Sequence, residues 1–124
     1  MGVEVLKKVP LFDGLDDATL SNLFTAGETF RYTPNEYVIR QGEYGDCLFV
    51  VLNGRINIQA YQSNGLLKNL VTLGPGDYFG EMAMLGLGER TASALSTTQS
   101  ELLQIRQVPF NKATKKFKQV KKRL

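Results

Sequence analysis

Cys47-Leu48-Phe49-Val50-Val51-Leu52-Asn53-Gly54-Arg55-Ile56-Asn57-Ile58-Gln59-Ala60-Tyr61 reads as two β-strands joined by a tight turn. The run Leu48–Leu52 is rich in β-branched and aromatic residues and is far too short to span a bilayer. Asn53-Gly54 supplies the positive φ angles that a tight reversal needs. Arg55 to Ala60 then alternates polar and apolar residues, as a half-buried strand does.

The same rhythm extends in both directions. Strands are predicted near 28–32, 36–40, 47–52, 55–61, 67–73, 77–79, 92–97 and 101–106. The breaks hold Thr33-Pro34-Asn35-Glu36, Gly42-Glu43-Tyr44-Gly45-Asp46, Ser63-Asn64-Gly65 and Gly74-Pro75-Gly76-Asp77, all turn chemistry. Eight short strands at even spacing predict a mainly β fold, an eight-stranded jelly-roll barrel. Helices flank it. Leu15 to Gly27 predicts a short helix that Asp16 or Asp17 can cap, with Leu20, Leu23 and Phe24 on one face. At the other end Pro109 starts a lysine-rich helix with Phe110, Ala113, Phe117, Val120 and Leu124 on one stripe. The organisation is thus a helical segment over 1–27, the barrel over 28–106 and a basic helix over 107–124, forming one domain.

Composition narrows the functions. Of 124 residues, 43% are hydrophobic and 22% charged, which suits a folded domain rather than a disordered one. There is no histidine, so the commonest general base and zinc ligand are absent, and neither an enzyme nor a bound metal or cofactor is expected. A cupin-like enzyme would share the architecture but needs metal ligands, mostly histidine. A lone cysteine, Cys47, allows no internal disulfide; a buried thiol and a cytoplasmic location are expected. No secretion signal is read at the N-terminus. The net charge of +3 conceals an asymmetry. Residues 1–105 carry seven basic and twelve acidic side chains, whereas residues 106–124 carry eight basic and no acidic ones.

One segment breaks the strand rhythm. Gly80-Glu81-Met82-Ala83-Met84-Leu85 holds helix formers where a β protein should turn. A glycine leading into a short helix presents unpaired N–H groups, which favour an anion. Arg90 follows, and a guanidinium can grip two phosphate oxygens at once. Glu81 would repel phosphate directly, so it suits a sugar hydroxyl at the ligand's other end. An anion clamp and a diol acceptor in one cradle describe a ribose phosphate.

At these residues the chain resembles the cyclic nucleotide-binding domains of catabolite activator proteins, regulatory subunits of cAMP-dependent kinase and cyclic nucleotide-gated channels. The resemblance runs from Val9-Pro10-Leu11-Phe12 and Leu15 through Gly42, Gly45-Asp46, Gly54 and Gly74-Pro75-Gly76-Asp77. It is strongest in the phosphate-binding cassette, from Phe79-Gly80-Glu81-Met82-Ala83 to Arg90-Thr91-Ala92. It implies a regulatory domain binding cAMP or cGMP. Glu81 would take the ribose 2′-hydroxyl, with the Gly80 backbone beside it. Arg90 would pair with the cyclic phosphate, and the Ala83 and Thr91 amides would complete its oxygens. Val71 would pack against the base. Thr91 resembles the hydroxyl residue that helps recognise guanine in cGMP-responsive members, yet a hydroxyl also occurs there in cAMP binders. Met82 and Ala92 complete the expected ligand-binding set, though Met82, like Met84 and Leu85, is expected to serve the core more than the ligand.

The resemblance also implies an output domain or partner protein addressed through the C-terminal helix. Members usually follow the barrel with two helices, the second a lid over the base; after Arg106 there is room here for one good helix. A DNA-reading domain is not among these residues, and direct membrane binding is not expected. The alternative function is a ligandless jelly-roll interaction domain, against which the intact Glu81 and Arg90 argue.

Overall fold

The central strand β3 (Cys47–Asn53) is buried from Cys47 to Val51 because both of its faces are covered. A computed structural model of the chain describes residues 3–82, 88–115 and 123. Leu48 and Val50 face a helical layer, where they pack with Leu20, Leu23, Leu103, Ile105 and Phe110. Cys47, Phe49 and Val51 face the opposite way, against Ile56, Phe79, Ala94 and Leu102. An apolar run in a strand thus reflects two cores meeting at one strand, each reached by alternate side chains.

The described residues form eight strands: β1 (Glu28–Tyr32), β2 (Glu36–Ile39), β3, β4 (Ile56–Tyr61), β5 (Leu67–Leu73), β6 (Tyr78–Phe79), β7 (Ser93–Ser96) and β8 (Ser100–Arg106). They divide into two four-stranded antiparallel sheets, β1-β8-β3-β6 and β2-β7-β4-β5. The fold is mainly β, as expected, with the strands arranged as two facing sheets in jelly-roll order. The turn at Asn53-Gly54 requires its glycine. Gly54 has φ +96°, and a Cβ there would collide with the Ser100 hydroxyl.

Along β4 the expected alternation holds for Ile56, fully buried, but Gln59 is buried too. Its Nε2 donates to Asn69 Oδ1 at 2.9 Å and its Oε1 accepts from the Tyr37 hydroxyl at 3.4 Å. Burial is tolerable because the amide is paired.

Among the described residues the helices α1 (Val3–Leu6), α2 (Asp17–Ala26) and α3 (Gln107–Thr114) precede or follow the sheets, with a 3₁₀ turn at Pro10–Phe12. Asp16 is the cap of α2, its Oδ1 accepting from Thr19 N–H at 2.8 Å. The C-terminal helix α3, expected from Pro109, begins two residues earlier, at Gln107. Proline is accepted inside the first turn because its missing N–H would have had no intrahelical partner. Phe110 is fully buried, its ring 6.4 Å from that of Phe12. Arg123 Nη1 donates to the carbonyl oxygens of Leu11 and Asp13, tying the end of the chain to the 3₁₀ turn. Phe117, Val120 and Leu124 of the expected stripe lie outside the described residues.

Candidate functional site

The site is built around one arginine that the fold holds from three sides. Arg90 precedes β7 and is only 6% exposed. Its backbone is stapled to the loop before β3: Arg90 N–H donates to Glu43 O at 2.7 Å, and Arg90 O accepts from Gly42 N–H at 2.8 Å. Its Nη2 donates to Cys47 O at 2.9 Å and touches Cys47 Sγ at 3.5 Å, while Nη1 donates to Gly80 O at 3.2 Å. Every one of these partners is neutral. Among the described residues no carboxylate forms an ion pair with Arg90.

Two glycines make room for the guanidinium. A Cβ on Gly45 would lie 2.5 Å from Nη2 and 3.0 Å from Cζ. A Cβ on Gly80, whose φ is +80°, would lie 2.8 Å from Nη1. Position 80 therefore needs glycine for its backbone and for its neighbour.

Beside Arg90 opens a cavity of about 230 Å³ between the sheets. Ile39, Ile58, Leu70 and Phe79 form its apolar walls, and Gly80, Glu81, Met82, Glu89, Arg90, Thr91, Ala92 and Ser93 line the rest. Phe79 is fixed by stacking on Phe49, with centroids 5.3 Å apart and planes 15° apart. Glu81 stands close to Tyr78. Burial pushes the Tyr78 hydroxyl up from its ordinary pKa of 10.0, and the Glu81 carboxylate adds to the rise.

Gly80, Glu81, Met82, Arg90, Thr91 and Ala92 are thus brought together. Met82, one of the expected ligand-binding residues and also expected in the core, is half-buried and borders the cavity. Glu81 and Met82 begin a 3₁₀ turn, while Ala83, Met84 and Leu85, with the rest of the expected cassette helix, lie outside the described residues. Val71 is 51% exposed and is not among the lining residues; Leu70 is. Val71 pairs with Ile58 and Asn69 with Gln59, so Leu70 is the extra residue of a β-bulge. A bulge leaves no trace in the alternation of β5, and Leu70 could not be picked from sequence. Cys47 and Gly45 were likewise missed as neighbours of Arg90, although Gly45 was visible as a family landmark.

The jelly roll holds a buried arginine, without an ion-pair partner among the described residues, and a carboxylate at one cavity, and the sequence comparison gives the chain its family. Residues 29–117 match the cyclic nucleotide-binding domain family, and the chain belongs to it. It is 34% identical over 98 residues to the cyclic AMP receptor protein of Thermus thermophilus, covering 79% of this chain and 45% of that protein. It is 31% identical over 123 residues to a cGMP-dependent protein kinase of Drosophila melanogaster, isozyme 2, covering 97% of this chain and 13% of that protein. Its structure is similar to the regulatory domain of Toxoplasma gondii PKA, crystallised with cAMP. There the TM-score is 0.83 at 25% identity, over 92% of this chain and 44% of the other. The chain spans less than half the length of each of these relatives. No helix among the described residues is long and apolar enough to cross a membrane.

Proposed function

We propose that this domain binds cAMP or cGMP as a regulatory ligand, with the cyclic phosphate on Arg90 and the ribose 2′-hydroxyl on Glu81. The observation that carries the reading is the guanidinium of Arg90. It is buried, and its partners are two carbonyl oxygens and a thiol. A charge taken out of water without a counter-charge is costly, and an anionic ligand would supply the counter-charge. A ligandless interaction domain would retain that cost with nothing to offset it. Apolar walls at Ile39, Ile58, Leu70 and Phe79 suit a base and sugar beside the phosphate. Relatives named for both cAMP and cGMP match, and Thr91 suits either, so both nucleotides remain within the proposal.

The role is binding rather than catalysis, with no cofactor, and a cytoplasmic location fits the lone buried thiol. The response passes to a partner or output domain through the C-terminal helix, since α3 follows β8 without a linker and packs Phe110 on Phe12. Calorimetric titration with cAMP and cGMP is the test. Saturable one-to-one binding of either nucleotide is expected, and heat-free titrations with both would overturn the reading.

A further inference from the structure

The cavity sets one positive side chain against two negative ones. Arg90 lines it, and so do Glu81 and Glu89. Among the described residues none of the three belongs to an ion pair. Residues 83–87, which complete the cassette, are Ala, Met, Leu, Gly and Leu and bring no charge. Glu89 is also held where it is. Its Oε1 accepts a hydrogen bond from the Tyr44 hydroxyl at 3.2 Å, and the two residues form an antiparallel bridge. Glu89 is exposed while the adjacent Arg90 is buried, so Glu89 stands at the rim, with no ion-pair partner among the described residues.

A phosphodiester carries one negative charge, whereas a phosphomonoester carries close to two above its second pKa of about 6. Arg90 matches the first charge. Among the described residues lining the cavity a second would find no cation, and it would sit near two carboxylates. We infer that Glu89, anchored by Tyr44, is a specificity-determining residue that restricts the site to singly charged phosphodiesters and rejects open 5′-monophosphates. The inference rests on the cyclic nucleotide reading above and adds the charge class of the ligand to it.

The test is calorimetric titration at about pH 8, where the monoester is close to doubly charged. The ligands are cAMP, 5′-AMP and the methyl ester of 5′-AMP, which has the open sugar phosphate but a single charge. On the wild type the methyl ester should bind about five- to tenfold more tightly than 5′-AMP, the scale of a solvent-screened interaction between unit charges. In Glu89→Gln the preference for cAMP over 5′-AMP should narrow by a similar factor. A methyl ester no tighter than 5′-AMP, or a preference unchanged in Glu89→Gln with cAMP still bound, overturns the charge inference alone. A wild type that binds neither cAMP nor cGMP overturns both this inference and the functional reading.

Discussion

Gly45 and the guanidinium of Arg90 occupy adjoining space so tightly that a single added methyl at position 45 would lie 2.5 Å from Nη2. The backbone of Gly45 is fixed on the same strip, its N–H donating to Gly88 O at 2.9 Å. Neither side can retreat without breaking hydrogen bonds. Gly45→Ala should therefore displace the guanidinium, lowering stability by about 1–3 kcal/mol, the range for overpacking. The penalty should shrink sharply in an Arg90→Ala background, because the atoms in conflict are gone. Urea denaturation of the two single variants and the double variant checks this; equal penalties in both backgrounds would place the conflict elsewhere.

Arg90→Ala should weaken cyclic nucleotide binding roughly thirtyfold or more, since truncating one member of a desolvated charge pair costs about 2–5 kcal/mol. The fold should survive, because the side chain contributes no apolar packing to either core cluster. Titration calorimetry, with circular dichroism to verify the fold, measures both. An intact fold with unchanged affinity would remove Arg90 from the site.

Glu81 lines the cavity, and its proposed partner is the ribose 2′-hydroxyl. In wild type, 2′-deoxy-cAMP should bind more poorly than cAMP, whereas Glu81→Ala should bind the two alike. The same contact cannot be lost twice. Additive losses in this cycle would assign Glu81 another role.

Tyr78 gives a pH signature. Its folded pKa is raised above the ordinary 10.0, by burial first and by Glu81 second. A raised acid stabilises the folded state at pH values below its unfolded pKa, and that contribution is lost as the pH climbs past about 10. Between pH 9 and pH 11 the wild type should lose more stability than Tyr78→Phe. Parallel declines in chemical denaturation midpoints would contradict the assigned cause.

Phe110 is fully buried against Phe12 and the helical layer. Phe110→Ala should destabilise the domain by about 3–5 kcal/mol, the range for a large aromatic removed from a core. Because α3 is the proposed route of the response, cAMP should also change amide exchange from residue 109 onward as well as across residues 79–92. Exchange altered only in the cassette would mean that binding is not relayed to the C-terminal helix.

The strand rhythm, the turns and the Glu81–Arg90 spacing were legible in one dimension because each rests on local chemistry. Asn53-Gly54 turns for backbone reasons, β4 alternates because strands have a period of two, and a guanidinium nine residues after a carboxylate is a pattern in the sequence itself. The family resemblance added named roles to those positions.

Other features depend on which strands lie side by side. That Leu48 and Phe49 serve different cores follows from helices covering one face of β3 and the second sheet covering the other. That Leu70 rather than Val71 borders the cavity follows from a bulge that only the register with β4 reveals. That Cys47, 43 residues before Arg90, supplies the carbonyl that aims the guanidinium is a consequence of pairing between distant segments. Sequence alone determined the kind of fold and singled out the two side chains proposed here for a ribose phosphate, because propensity and charge are properties of residues. Tertiary structure alone decided that Arg90 is buried against two carbonyl oxygens and a thiol, without an ion-pair partner among the described residues, because burial and charge compensation belong to the packed surroundings.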